Sequence, residues 1–204
     1  MKDGDIMSEA EFVAIKTVVN RLASPPEEQW RRFGRFFHRR VLAAEEFFIR
    51  AGDTSKYLGF INSGMVRFYY QTAQGAQFNK SFSRANDFVG AYSAYLTGET
   101  SRFHIQALQE TRMLVAAWDD ICGLYDEHVC WQKLGRLFAE QLYIKKEQRE
   151  AEFLLDDAET RYRHFLQRYP GLEDDLPQYH IAGYIGITAV ALSRIRRKIK
   201  NGER

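Results

Sequence analysis

Apolar residues near the start of the chain recur at every third or fourth position. Between Glu11 and Leu22 they form one stripe, which predicts an amphipathic helix: Phe12, Ile15, Val18, Val19 and Leu22. Ser24 and Glu27, with two prolines between them, have the spacing of a capping box and predict the start of a second helix. The apolar face of that helix would carry Trp30, Phe33, Phe36 and Phe37. The first 46 residues are therefore predicted to be helical.

From Phe47 the pattern changes to short runs of aromatic and β-branched residues, separated by glycine, asparagine and aspartate. Such runs predict strands at Phe47–Ile49, Tyr57–Ile61, Met65–Tyr70, Phe78–Phe82, Ile105–Leu108 and Met113–Trp118. No helix of crossover length is predicted between them, which argues against a parallel β-α-β fold. The pattern favours an antiparallel sandwich or barrel.

A long helix is predicted from Val129 to Leu155, a stretch with no proline and a single glycine. Residues at alternating spacings of three and four form a heptad seam with polar members: Leu134, Leu137, Gln141, Ile144, Gln148, Ala151 and Leu155. The seam either packs on its own domain or pairs with a second copy. We favour the homodimer, because so long and charged a helix needs a partner for its stripe.

A further helix is predicted from a cap at Asp156 or Asp157 to Arg168, where Tyr169-Pro170-Gly171 stops it. A short acidic connector, Leu172 to Leu176, leads to Pro177, which opens the last two helices. The predicted division is a strand-rich domain with N-terminal helices at 1–128, a dimerisation helix at 129–155 and a C-terminal domain at 156–204.

Residues 178–199 have the pattern of a helix-turn-helix. Ala182 allows a close helix crossing, Gly186 suits the turn, and Thr188 suits the N-cap of the second helix. At 100° per residue, Leu192, Ile195 and Ile199 share one side of that helix, and the opposite side could enter a DNA major groove. The candidate DNA contacts are Thr188, Ala189, Val190, Ser193, Arg194, Arg197 and Lys198. The alternative is a plain helical hairpin. His180 is expected on the helix surface or at a phosphate.

Charge supports nucleic-acid binding at this end. The 204-residue chain has a net charge of +2, whereas Thr188–Arg204 holds six basic residues and one acidic residue. A solvated basic tail is the alternative.

The two cysteines, Cys122 and Cys130, indicate a reducing compartment, and the stretch MKDGDIMSEA has no apolar run of a secretory signal. We therefore expect a cytoplasmic protein without membrane association.

With these residues in hand, the chain resembles the Crp/Fnr family of bacterial transcription regulators. The resemblance is carried by IAGYIGITAVALSRIRRKI, by AGDTSKYLGFINSGMVRFYY and NDFVGAY in the strand region, and by IQALQETRMLVAAW and ETRYRHFLQRYPGL. It implies an α+β fold: an N-terminal antiparallel β-roll of the cyclic-nucleotide-binding jelly-roll type with flanking helices, a long central dimerisation helix and a C-terminal helix-turn-helix domain. The partners it implies are double-stranded DNA, a second copy of the chain and, as a further candidate, RNA polymerase.

The chain departs from the nucleotide-binding members of that family. Gly90-Ala91 stands where they carry Gly-Glu, and Phe103 follows Arg102 where they carry a small residue. We therefore expect no cyclic AMP binding and no cofactor. A retained effector pocket would involve Phe82, Phe88, Gly90, Tyr92, Ser101, Arg102, Tyr143 and Lys146. A β-roll filled by its own aromatic residues is the alternative. Five residues follow Ile199, so we also expect no full wing hairpin.

Other chemistry has little support in the sequence. Two cysteines cannot supply four thiolates to an iron–sulfur cluster, and the five histidines make no recognisable haem or cupin-type metal site. We expect no metal, no catalytic residues and no enzymatic activity. The alternative to a DNA-binding regulator is a ligand-sensing or scaffold protein of the same fold that does not bind specific DNA.

Overall fold

The computed structural model describes residues 8–202. Residues 1–7, which belong to the N-terminal stretch without an apolar run, and Glu203 and Arg204, which belong to the basic C-terminal segment, lie outside the described part. The helices are α1 (Glu9–Asn20), α2 (Glu27–Gly34), α3 (Tyr92–Thr97), α4 (Trp118–Gly123), α5 (Val129–Leu155), α6 (Ala158–Arg168), α7 (Leu172–Asp175), α8 (Gln178–Ile185) and α9 (Ala189–Lys200). The strands are β1 (His38–Leu42), β2 (Phe47–Ile49), β3 (Tyr57–Ser63), β4 (Met65–Gln71), β5 (Gln77–Arg84), β6 (Phe88–Val89), β7 (His104–Ala107) and β8 (Thr111–Ala117).

The strands form two four-stranded sheets, in the orders β1-β8-β3-β6 and β2-β7-β4-β5. Pairing is antiparallel, as in β3 with β8 and β4 with β7. This arrangement confirms the predicted antiparallel jelly roll. Each of the six predicted strands coincides with an observed strand to within a few residues.

One element differs from the prediction that the first 46 residues are helical. His38–Leu42 forms β1, which pairs along its whole length with β8, from His38 opposite Val115 to Leu42 opposite Thr111. The apolar spacing of Phe36 and Phe37 suggested a continuing helix. Pairing with a strand about 70 residues further along the chain decides the conformation here, and local periodicity contains no information about it.

The capping box also lies elsewhere than predicted. The Ser8 hydroxyl accepts from the Glu11 backbone N–H, and the Glu11 carboxylate accepts from the Ser8 N–H at 2.7 Å, so the box starts α1. Helix α2 begins at Glu27, so Pro26 occupies its N-cap, and the proline ring has no polar atom that could accept a capping hydrogen bond. Glu27 is therefore the first residue of the helix and cannot fold back from its third position.

Two apolar cores stabilise the N-terminal part. One fills the β-roll and includes Ile61, Val66, Phe68, Phe103, Ile105 and Met113. The other joins α1, α2 and the start of α5 to strands β3 and β8. In this second core Trp131 stacks on Phe33 with ring centroids 4.9 Å apart, and its indole N–H donates to Gln29 Oε1 at 2.8 Å. The buried indole thus has a polar partner as well as apolar contacts.

Helix α5 spans Val129–Leu155, the bounds predicted from the sequence. The chain divides into two compact units, residues 1–70 with 82–141 and residues 71–81 with 142–204. Asp157 caps α6, its Oδ1 accepting from the Thr160 N–H at 2.8 Å. Gly171 has a φ of +78° just after α6, and the predicted acidic connector contains the single turn α7. The three-part domain division stays a prediction.

The turn between β3 and β4 provides a test of the β-roll. Gly64 has a φ of +95°, and a Cβ there would lie 2.5 Å from the Glu110 carbonyl oxygen. We expect Gly64→Ala to lower the free energy of unfolding by about 3 kcal/mol, because backbone strain and a steric clash add. Gly98→Ala is the matched control: its φ is +70° but no atom lies within 4 Å of the added carbon. It should cost about 1 kcal/mol. Equal urea midpoints for the two variants would contradict the clash.

Candidate nucleic-acid interface and effector pocket

The helix-turn-helix is formed by α8, α9 and the turn between them. Gly186 follows α8 with a φ of +77°, and its N–H donates to the Ala182 carbonyl at 2.9 Å. A Cβ at Gly186 would lie 2.8 Å from the Phe153 ring, so both conformation and space require glycine there. The Thr188 hydroxyl accepts from the Ala191 N–H at 3.2 Å and starts α9. Ala182 and Leu192 are buried where the two helices pack.

The side chains of α9 are divided between the interior and solvent as the sequence predicts. Leu192 is fully buried, and Ile195 and Ile199 are half-buried. The exposed residues are Ala189, Val190, Ser193, Arg194, Arg197 and, at the end of the helix, Lys200. Neither Arg194 nor Arg197 has an ion-pair partner in the part of the chain that the structure describes. The outward face of α9 therefore carries two arginines, a hydroxyl and two small apolar side chains, with Lys200 exposed at its carboxyl end.

Two other cations of α9 face acidic residues of their own unit. Lys198 Nζ donates to Glu159 Oε2 at 2.9 Å, and this hydrogen bond raises the pKa of the lysine. Arg196 Nη2 lies 3.6 Å from Glu173 Oε2. Lys198, a candidate DNA contact, is thus held against α6, in contrast to Arg194 and Arg197.

His180 is not on the surface, and that prediction was wrong. It is 3% exposed, and its carbonyl accepts from Asn79 Nδ2 at 2.8 Å. The same amide nitrogen lies 3.4 Å from His180 Nδ1. Residues 71–81 belong to the same compact unit as α8 and cover this side of it. A residue so far away in the sequence could not be anticipated from the pattern of α8 alone.

Several polar side chains form a partly buried cluster next to the helix-turn-helix, and the sequence pattern did not predict it. We call it the Glu152 cluster, formed by Arg149, Glu152, Arg168 and Tyr184. Glu152 Oε2 accepts from Arg149 at 3.0 Å and from Arg168 at 3.2 Å, and Arg168 also donates to the Tyr184 hydroxyl at 2.7 Å. The Glu152 side chain is 8% exposed. In sequence, Arg149 and Glu152 look like an ordinary solvated pair on a helix, and nothing marks the carboxylate as buried.

The predicted effector region is occupied by protein side chains. Ala91 and Phe103 belong to the core of the β-roll, and the Phe103 ring centroid lies 5.9 Å from that of Phe68. Ser101 is buried, and its hydroxyl donates to the Phe103 carbonyl at 2.7 Å, whereas Arg102 is exposed. A Cβ on Gly90 would lie 2.9 Å from the Trp118 ring, so packing alone accounts for that glycine.

The remaining pocket candidates have their own packing roles. The ring centroids of Phe88 and Phe60 lie 5.0 Å apart, and those of Tyr92 and Trp118 lie 5.1 Å apart. Phe82 is buried, whereas Tyr143 and Lys146 are exposed and belong to the other compact unit. Within the described N-terminal unit, these aromatic residues contact one another.

The strand region and the overall fold are similar to those of known proteins. Residues 39–128 match the cyclic nucleotide-binding domain family. No curated protein matches the sequence. FixK2 from Bradyrhizobium japonicum is a similar solved structure, with a TM-score of 0.69 and 17% identity over 81% of this chain and 85% of that one. The c-di-GMP responsive global regulator CLP from Xanthomonas campestris has a TM-score of 0.68 and 14% identity over 87% of this chain and 93% of that one.

A third similar structure, from Eubacterium rectale, is described as a transcriptional regulator of the Crp/Fnr family. It has a TM-score of 0.67 and 12% identity over 87% of this chain and 85% of that one. Residues 39–128 are therefore similar to cyclic nucleotide-binding domains, and the fold of the chain is that of the Crp/Fnr transcription regulators. This confirms the resemblance drawn from the sequence. Among residues 8–202, no helix combines the length and the apolar composition needed to cross a membrane.

The Glu152 cluster predicts a pH dependence of stability. Burial would raise the pKa of Glu152, but hydrogen bonds and charge from Arg168 and Arg149 more than offset it, so the pKa lies below its ordinary value. A depressed pKa in the folded state stabilises the protein above the unfolded pKa, near 4.3, and the contribution is lost as pH falls through the folded pKa. The wild type should therefore lose stability as the pH falls below the unfolded pKa of about 4.3 and towards the lower folded pKa.

Glu152→Gln tests this contribution. We expect a loss of about 2 kcal/mol at neutral pH, less than for a fully buried pair because Arg168 keeps 30% of its side chain exposed. The variant should also lose less stability on acidification, measured by urea unfolding at several pH values. Glu140→Gln is the control, because Glu140 is an exposed partner of Arg136 on the same helix. An acid profile unchanged by Glu152→Gln would show that other carboxylates dominate.

Proposed function

We propose that the protein is a homodimeric transcription regulator that binds double-stranded DNA through α9. The observation that carries this proposal is the outward face of α9, which presents Ser193, Arg194 and Arg197 after a glycine turn. A helix-turn-helix places its second helix in the major groove. The fold shared with Crp/Fnr regulators supports the same role.

The residue types on that face suit DNA. Arg194 and Arg197 can donate to guanine O6 and N7 or to phosphate oxygens, and Ser193 can reach either kind of acceptor. Ala189 and Val190 offer apolar contact, for example to a thymine methyl group. Thr188 stands at the start of the helix, where backbone N–H groups and the helix dipole favour a phosphate. Lys198 has a weaker claim because Glu159 already neutralises it.

Exposure along α5 supports a dimer. Leu134 packs against the core of its own unit, whereas Ile144, Ala151 and Leu155 of the predicted seam are exposed. Leu155 is 81% exposed. Gln141 and Gln148 occupy the polar positions of the seam, and Leu137 is half-buried. A second copy aligned on α5 would cover the exposed apolar members.

We further propose that the β-roll does not bind cyclic AMP. Ala91 is fully buried and its methyl side chain has no acceptor for a ribose hydroxyl, and Phe103 occupies core space beside Arg102. A polar ligand would leave its own groups unpaired there. On this proposal the protein is a cytoplasmic regulator and not an enzyme, and contact with RNA polymerase stays a prediction.

Selection of bound duplexes from a random pool tests the function. We expect a near-palindrome with half-sites about one helical turn apart, as for a two-fold symmetric dimer. Arg194→Ala and Arg197→Ala should each lower affinity for that duplex about tenfold in a mobility-shift titration. The double variant should reduce the slope of log K against log salt by roughly 3 to 4, because a dimer loses four cations.

Arg112→Ala is the control for this experiment, since it removes an exposed arginine of β8 that pairs with Glu110. It should leave affinity and salt slope unchanged. Cyclic AMP added to the same titration should also have no effect. Binding that ignores both α9 substitutions would contradict the proposal, and absence of duplex binding by the wild type would favour a scaffold or sensor.

The α5 seam is tested by Ile144→Lys. Ile144 is 49% exposed in one chain, so the charge should leave the monomer folded but destabilise a paired seam. We expect the dissociation constant of the dimer, measured by sedimentation equilibrium, to rise about a hundredfold. Leu96→Lys on α3, where Leu96 is 62% exposed, should leave it unchanged. Equal sedimentation of the two variants would place the dimer contact elsewhere.

A further inference from the structure

The carboxyl end of α8 is held by arginines from two other helices. Arg149 of α5 donates to the Tyr184 carbonyl, and Arg161 of α6 donates to the Ile185 carbonyl at 2.9 Å. Tyr184 and Ile185 are the last two residues of α8, so their carbonyls have no partner within the helix. Two cations at this end also complement the helix dipole.

Arg149 makes more than one contact with the helix-turn-helix. Its guanidinium lies 3.8 Å from the centre of the Tyr184 ring and 4.3 Å from that of Phe153. Glu152 accepts from the same guanidinium, and only 17% of the Arg149 side chain is exposed. The planar group therefore contacts two aromatic rings and donates two hydrogen bonds from its edge, which an ammonium group could not reproduce.

Phe153, one helical turn after Arg149 on α5, contacts the turn between α8 and α9. The Phe153 ring occupies the space beside Gly186, within 2.8 Å of where a Cβ would stand. The last two turns of α5 thus contact the end of α8 through Arg149 and the turn through Phe153. The same two turns carry Gln148, Ala151 and Leu155 of the proposed dimer seam. One short piece of helix therefore carries part of the proposed dimer seam and also contacts the helix-turn-helix.

We propose that Arg149 is a positioning residue that fixes the orientation of the helix-turn-helix on α5. This inference rests on the proposed function, because in a dimer joined along α5 that orientation sets the separation of the two recognition helices. Arg149 does not touch DNA in this role. It determines which half-site spacing both subunits can bind at once.

The first experiment measures orientation without DNA. Spin labels at Lys145→Cys on α5 and Val190→Cys on α9, in a Cys122→Ala/Cys130→Ala background, report their separation by pulsed electron resonance. An excess of unlabelled chain restricts the signal to distances within one chain. We expect one narrow distribution in the background protein and a distribution about twice as broad with Arg149→Met, because side-chain contacts between α5 and α8 are lost.

Arg136→Met is the matched control. Arg136 is an exposed arginine of the same helix, paired with Glu140 at 2.5 Å. It should leave the distribution narrow. Arg149→Lys is the second variant for the case that Arg149→Met does not fold: it keeps a charge against Glu152 but loses the planar group, and the distribution should still broaden. Equal widths for the background protein and the folded Arg149 variants would overturn the proposal.

The second experiment uses selected duplexes whose half-sites are moved apart or together by one or two base pairs. The wild type should prefer one spacing by about tenfold, whereas Arg149→Met should lose most of that preference and keep its affinity for a single half-site. An equal loss for half-site and full site would indicate local damage and contradict a positioning role. If the wild type binds no duplex, the proposed function fails, while the spin-label distances still decide the role of Arg149.

Discussion

The C-terminal unit depends on the ion pairs of one buried carboxylate, that of Glu152, with the guanidinium groups of Arg149 and Arg168. An unpaired carboxylate at 8% exposure would be costly, so α5 and α6 must approach until Arg149 and Arg168 both reach it. Arg168 then has a donor left for the Tyr184 hydroxyl, and Arg149 has one left for the Tyr184 carbonyl. One acidic residue thereby fixes three helices, because each arginine that neutralises it also binds α8.

Ion pairs within the unit also determine which basic residues α9 exposes. Arg196 and Lys198 face Glu173 and Glu159, while Arg194 and Arg197 face outward. The helix is thus attached to its own unit by part of its basic residues and presents the remainder. In the N-terminal unit the β-roll is filled by its own side chains, among them Phe103. The core of the β-roll is thus made of its own side chains, whereas α9 presents an exposed cationic face.

The sequence predicts elements where the determinants are local. The bounds of α5 and α6, the turn at Gly186 and the division of α9 into two faces follow from helical spacing, caps and glycine conformation. It misses what distant segments decide. Strand β1 exists because β8 pairs with it, His180 is buried because Asn79 covers it, and Glu152 is buried because α6 and α8 bring a second arginine and a tyrosine. Residue types at these positions look the same whether solvated or enclosed.

The partition of cations on α9 has a consequence for dosage. If α9 binds DNA as proposed, a single chain with two outward guanidinium groups would attract few phosphates and would bind a duplex weakly at cellular ionic strength. Occupancy of a target would then follow the number of assembled pairs, which grows faster than linearly with copy number. On the proposed function, a modest change in synthesis or degradation of this protein would itself act as a signal, even without a bound small molecule.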